Sequence, residues 1–94
     1  MEFTRDSNRI YAINEDGKLL AEVTFPKVTD DVVDINHTFV DDSLRGQGIA
    51  GKLMEEVVVF LRENNKKAVL TCSYAILWFG KNEQYKGLIW EGSK

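Results

Sequence analysis

The chain has one cysteine, one proline and one histidine among its 94 residues, and each scarcity excludes something. Cys72 has no partner for an intramolecular disulfide, so no framework of cross-links holds this fold, and the chain fits a reducing compartment. His37 is the single imidazole, and no His or Cys accompanies the acidic pairs Asp30-Asp31 and Asp41-Asp42 at metal-ligand spacing, so no metal site is expected. Basic residues are in deficit: 12 Lys and Arg stand against 15 Asp and Glu, a net charge of −3. A nucleic-acid binder needs a concentrated basic surface, which makes that partner unexpected. No apolar run approaches the roughly 20 residues of a membrane span, and Met1-Glu2-Phe3-Thr4-Arg5-Asp6 lacks the basic-then-apolar order of a signal peptide. A cytoplasmic protein without a membrane partner is the expectation. Linkers, repeats and low-complexity stretches are absent as well.

What is present is the composition of a folded domain, 44% hydrophobic and 29% charged. Residues 1–94 leave room for one core only. The first half reads as strands. Ile10, Tyr11, Ala12 and Ile13 lead to a turn at Glu15-Asp16-Gly17-Lys18, with Asp-Gly at its centre. Leu19, Ala21, Val23 and Phe25 then recur at period two, and Pro26 ends that run or places it at an edge. From Val32 to Val40 the alternation resumes, with Val33, Ile35, His37 and Phe39 assigned to one face. An antiparallel meander accounts for all three.

The period then changes. Ala50, Leu53, Met54, Val57, Val58 and Leu61 follow helical spacing from Ile49 to about Asn64. Asn64-Asn65 closes that helix, and Lys66-Lys67 places positive charge near its C-terminal end. Ala68 to Cys72 reads as a short buried strand, and Tyr74 to Phe79 opens a second helix that Ser73 is expected to cap. Strands, long helix, buried strand and short helix make a mixed α/β (α+β) domain.

The loop between the last meander strand and the long helix carries the strongest signal. It runs Val40-Asp41-Asp42-Ser43-Leu44-Arg45-Gly46-Gln47-Gly48-Ile49-Ala50-Gly51. Glycines permit close backbone approach and unusual dihedrals, and a helix N-terminus presents unpaired amides and the positive end of its dipole. Together they suit a phosphate or pyrophosphate. The same glycines also serve a tight turn and a close helix–strand contact, a reading that spacing alone leaves open. A dinucleotide-binding fold is disfavoured, because no parallel βαβ unit surrounds the Gly-x-Gly-x-x-Gly string.

Arg45-Gly46-Gln47-Gly48-Ile49-Ala50 resembles the pyrophosphate-binding signature of the GNAT acetyltransferases. With Asn36-His37-Thr38-Phe39-Val40 before it and Leu70-Thr71-Cys72-Ser73-Tyr74-Ala75 after it, the chain looks like the small YjdJ-like class of that family. The resemblance implies a minimal GNAT-like fold: a mostly antiparallel sheet of about five strands, a long helix after the fourth strand and a short C-terminal helix. It implies acetyl-coenzyme A as cosubstrate and an amine acceptor, a small molecule or a protein; the sequence leaves the oligomeric state open, with a monomer favoured. On this reading Gly46, Gln47, Gly48, Ile49, Ala50 and Gly51 hold the pyrophosphate, with Arg45 as the basic position. Phe39 and Val40 meet the pantetheine arm, and Tyr74 contributes to the same site. The helices that cover the acceptor in larger members are missing, so a non-catalytic coenzyme A-binding module is the alternative function.

Two residues are candidates for chemistry. Cys72 could accept the acetyl group covalently; a small core residue is the competing reading. His37 could act as a base, although its neighbours Val33, Ile35 and Phe39 favour a hydrogen-bonded core histidine. The helical position that carries a proton-donating tyrosine in larger members is Phe79 here. Trp78, Phe79, Tyr85 and Trp90 are expected to form an aromatic cluster.

Overall fold

A computed structural model describes residues 1–91. Six strands and two α-helices follow in the order β1 (Thr4–Asp6), β2 (Arg9–Ile13), β3 (Leu19–Thr24), β4 (Val32–Ile35), β5 (His37–Val40), α1 (Ile49–Glu63), β6 (Lys67–Leu70) and α2 (Ser73–Lys81). Short 3₁₀ turns at Asp42–Leu44 and Glu83–Leu88 complete the elements among the described residues. The mixed α/β architecture expected from the sequence is the one observed.

Strands β1, β2, β3 and β5 form an antiparallel sheet in that order, while β4 pairs in parallel with β6. The alternation read in β2 and β3 places Ile10, Ala12, Ala21 and Val23 on one buried face. Helix α1 lies across that face, its buried stripe of Ile49, Leu53, Met54, Val57, Val58 and Leu61 closing the core. This is the stripe that helical periodicity predicts. Its end is set by Asn64 and by Asn65 in the left-handed region, φ 53°. Ala75 and Phe79 of α2 join the same core, so both helices lie on one side of the antiparallel sheet. No helix among the described residues is long and apolar enough to cross a membrane.

Two details differ from the sequence reading. Thr4–Asp6 forms an additional edge strand, exposed throughout, joined to β2 by the short turn Ser7-Asn8. The segment Val32–Val40 is two strands rather than one. Asn36 donates its amide to the Thr24 carbonyl (3.2 Å) although His37 is the residue opposite Thr24. That extra residue is a bulge, and it changes which side chains point inward. Val33 and Ile35 are buried before it; after it Thr38 and Val40 turn toward the core side while His37 and Phe39 turn out.

Candidate active site

The bulge opens the structure. Up to Ile35 the segment pairs with β6, and beyond His37 it pairs with β3. The two strands therefore diverge, and Ile35 marks the apex: its carbonyl accepts the amides of both Thr71 (3.1 Å) and Cys72 (3.0 Å). In the ladder with β3, Asp41 donates to Leu20 (2.8 Å), which makes the alternate pairs Glu22–Phe39 and Thr24–His37 the hydrogen-bonded ones. The amides and carbonyls of Thr38 and Val40 consequently face the other way, into the gap. This free edge offers main-chain hydrogen bonds to an extended ligand.

At the wide end of the gap the chain passes into the glycine loop. Asp41 fixes the exit: its carboxylate accepts from the Ser43 hydroxyl (2.5 Å) and amide (3.1 Å), and Lys18 lies 3.4 Å away. The Ser43 bonds, with Lys18 beside them, hold the Asp41 carboxyl below its ordinary pKa. Gly48 takes the N-cap position of α1 at φ 74°, a conformation that side chains with a Cβ disfavour. The amides of Ile49, Ala50 and Gly51 have no acceptor within the helix and point out of its first turn, which contains no acidic residue. Gly51 also admits α2 close by: a Cβ there would lie 3.4 Å from Trp78 Nε1 and 3.7 Å from the Tyr74 hydroxyl.

These residues line an open groove of about 180 Å³ formed by Val40, Leu44, Arg45, Gly46, Gly48, Ile49, Ala50, Gly51 and Tyr74. Eight of the residues named from the sequence thus meet in one place. Leu44 is the one the sequence reading missed; an apolar residue inside a turn gave no signal for it. Gln47 lies in the loop but outside the groove wall. Arg45 is largely exposed, its Nε 3.0 Å from Asp42 Oδ1 at the rim of the groove. Burial keeps the Tyr74 phenol above its ordinary pKa, so the groove retains a protonated hydroxyl.

Cys72 sits at the apex end of the gap, at the N-cap of α2. Ser73 is therefore the first helical residue rather than the cap. Partial burial pushes the thiol pKa up, but the Thr38 hydroxyl (3.4 Å) and the amides of Ala75, Tyr74 and Thr38 favour the thiolate and outweigh it. The net shift is downward, the direction expected at a helix N-terminus. Nothing adjacent in sequence forecast this, because Thr38 arrives from a different strand.

His37 is placed differently from the expectation of a core histidine. Its side chain is 54% exposed on the outer face of the sheet, with Nε2 3.5 Å from Glu22 Oε1. The bulge at Asn36 is the physical reason, since it breaks the alternation that had grouped His37 with Val33 and Ile35. Phe39 follows it outward at 36% exposure, and its backbone faces β3, so only Val40 of the pair Phe39–Val40 reaches the groove. The position of Phe79 is settled too: it is buried at 2% and has no proton to give. Trp78 stacks on Tyr85 (5.5 Å, 7°) and meets Phe79 edge-on (5.0 Å), behind the groove.

A glycine loop opening a helix beside two diverging strands defines a class, and comparison with known proteins names it. The sequence profile of the GCN5-related N-acetyltransferase family matches residues 10–88, and the chain belongs to that family. A GCN5-like protein from Staphylococcus aureus, solved by NMR, is 34% identical over 98% of this chain and 90% of its own, with a TM-score of 0.79. The protein NATD1 of Gallus gallus and of Mus musculus is 46% identical over 43 residues, which covers 46% of this chain and 39% of those relatives. A GNAT acetyltransferase from Elizabethkingia anophelis, solved with acetyl-CoA bound, shares the fold at a TM-score of 0.61 and 16% identity, over 80% of this chain and 51% of its own.

Proposed function

We propose that this protein binds acetyl-coenzyme A in the gap between β5 and α2 and transfers the acetyl group to an amine. The observation that carries the reading is the continuity of the groove at the α1 N-terminus with the free edge of β5. Each part of the ligand has a chemically suitable neighbour along that path. The pyrophosphate lies against the amides of Gly48 to Gly51, where the helix dipole and the absence of acidic side chains favour an anion. Arg45 supplies the compensating charge. The pantetheine arm, with its two amide groups, runs antiparallel to the main chain of Thr38 and Val40 as an added strand. The thioester then reaches the apex beside Cys72.

Two routes of transfer are open from there. In direct transfer a neutral amine attacks the thioester carbon, a C–N bond forms, the C–S bond breaks, and the departing thiolate takes a proton, for which Tyr74 is the hydroxyl in the groove wall. In the covalent route the Cys72 thiolate attacks first, forming a new thioester and releasing coenzyme A before the amine enters. The depressed thiol pKa favours giving Cys72 a part. Binding without turnover remains the alternative function, and the buried Phe79 is the feature that supports it.

Calorimetric titration with acetyl-CoA tests the shared premise. At about 100 times the dissociation constant the ligand stabilises the fold by roughly 2.7 kcal/mol, a shift of several degrees in Tm for a chain of this size. Absence of both heat and shift at millimolar ligand contradicts the proposal. Mass spectrometry of the protein after incubation separates the routes: an added acetyl group lost in Cys72→Ala supports the covalent one.

A further inference from the structure

A second hollow lies at the opposite end of α1 from the groove, and the acetyl-CoA path does not use it. It measures about 290 Å³ and is lined by Leu61, Arg62, Asn65, Lys66, Lys67 and Leu88. The turn that ends α1 builds it. Asn65, at φ 53°, reverses the chain in the left-handed conformation, and the Lys66 amide donates back to the Leu61 carbonyl (2.9 Å). Arg62 from the last turn of the helix thereby meets Lys67 at the start of β6, with Lys66 just before it. Leu88 arrives from the 3₁₀ turn and, with the buried Leu61, gives the hollow an apolar part.

Three of the chain's 12 basic residues thus share one wall, in a protein of net charge −3. Among the described residues, no acidic side chain lines it. Cations at the end of a helix commonly serve its dipole and its last carbonyls. Here those carbonyls have other donors. Phe60 accepts from the Asn64 amide (3.1 Å) and side chain (2.8 Å), Leu61 from the Lys66 amide, and Arg62 from the Asn65 amide (3.4 Å). Arg62 and Lys67 make no ion pair among the described residues, whereas Glu63 is held by Arg5 (2.8 Å) and Asp30 by Lys27 (2.8 Å). The Lys66 ammonium is anchored on the Asp30 carbonyl. The Arg62 guanidinium lies over the Tyr85 ring at 5.1 Å, and that ring stacks on Trp78, so packing sets its place before any ligand arrives.

We propose that this hollow is a binding site for a small dicarboxylate, separate from the acetyl-CoA groove. One carboxylate takes the forked N–H donors of Arg62, and the other meets the Lys67 ammonium. The carbon chain between them rests on Leu61 and Leu88, and the Asn65 side-chain amide supplies a further donor. Two charges on the ligand match two cations without carboxylate partners. The leucines favour a ligand with carbon between its charges over an inorganic anion.

Glutarate is the probe, titrated into the full chain and followed by calorimetry and by NMR of amides and methyl groups. The amides of Arg62 and Asn65 to Lys67 and the methyls of Leu61 and Leu88 should shift saturably, while Gly48 to Gly51 stay still. Dimethyl glutarate, which keeps the carbon chain and lacks the charges, should leave them unmoved. Sodium sulfate at equal ionic strength should give no saturable shift. Arg62→Gln and Lys67→Gln should each weaken glutarate binding by about tenfold. No saturable shift with glutarate, an equal response to sulfate or to the diester, shifts centred on Gly48 to Gly51, or unchanged affinity in either variant overturns the assignment. Both substitutions fall on exposed residues, and the shift map of the wild type needs no variant, so the test stands even if a variant folds poorly.

Discussion

Strands β4 and β5 are consecutive in the chain, equal in length and separated by one residue, yet they differ in what surrounds them. Strand β4 is buried on both sides: Val32, Val33 and Ile35 are all in the core, and its parallel partner β6 buries Ala68 beside Val33. Strand β5 has no fully buried side chain, pairs on one edge only, and leaves its other edge free. The first stores stability, and the second is the strand along which the proposed ligand path runs. One bulged residue, Asn36, makes the division, because it transfers the chain from one sheet to the other and leaves a gap where they part.

That contrast can be broken from either side. The largest effect is expected in β4: Ile35→Ala removes a fully buried side chain and costs about 2–5 kcal/mol, read as a drop in the urea midpoint. Phe39→Ala in β5, at a partly exposed site, should cost about 1 kcal/mol or less. Equal losses would show that the two strands share the core after all. Next comes the loop at the end of β5. Gly48→Val places a β-branched residue at φ 74° with no steric neighbour, so its penalty is conformational, about 1–2 kcal/mol. The protein should remain folded and lose measurable acetyl-CoA binding; undiminished affinity contradicts the pyrophosphate assignment.

A smaller change tests the bridge across the gap. Thr38→Val removes the hydroxyl that faces Cys72, so the thiol pKa should rise toward its ordinary value, seen as an upward move in the pH profile of alkylation by iodoacetamide. The sign of the linked stability follows. A thiol whose folded pKa lies below its unfolded value adds stability above the unfolded pKa and loses it as pH falls through the folded one. Thr38→Val should therefore flatten the alkaline limb of the stability profile. An unmoved alkylation profile would leave the helix amides as the cause. The smallest effect is expected far from the gap. Arg5 lies 2.8 Å from Glu63 and 3.7 Å from Glu56, an exposed strap between β1 and α1, and Arg5→Ala should cost about 1 kcal/mol or less and vanish into high salt.

The same contrast explains what the sequence could convey. Helix α1 was legible because its stripe from Leu53 to Leu61 is a local periodicity, and the glycine loop because its residues are contiguous. Strand β1 was not, since Thr4-Arg5-Asp6 has no apolar pattern and owes its form to pairing with β2. The bulge was hidden for a related reason: alternation from Val32 to Val40 reports strand, but which strand lies alongside is decided by distant partners. His37 was misplaced through that one step of phase. Cys72 and Glu22 show the limit most clearly. The atoms that tune the thiol come from Thr38 and from the start of α2, and those around Glu22 come from β2 and β5, meetings that only tertiary register brings about.

The account turns on the gap beside β5 as the binding path, and amide NMR during an acetyl-CoA titration addresses it most directly. The amides of Thr38, Val40 and Gly48 to Gly51 should shift together and saturably, with Val32 to Ile35 nearly still. Shifts concentrated in β4, or at the C-terminal end of α1 around Arg62, Lys66 and Lys67, would contradict it.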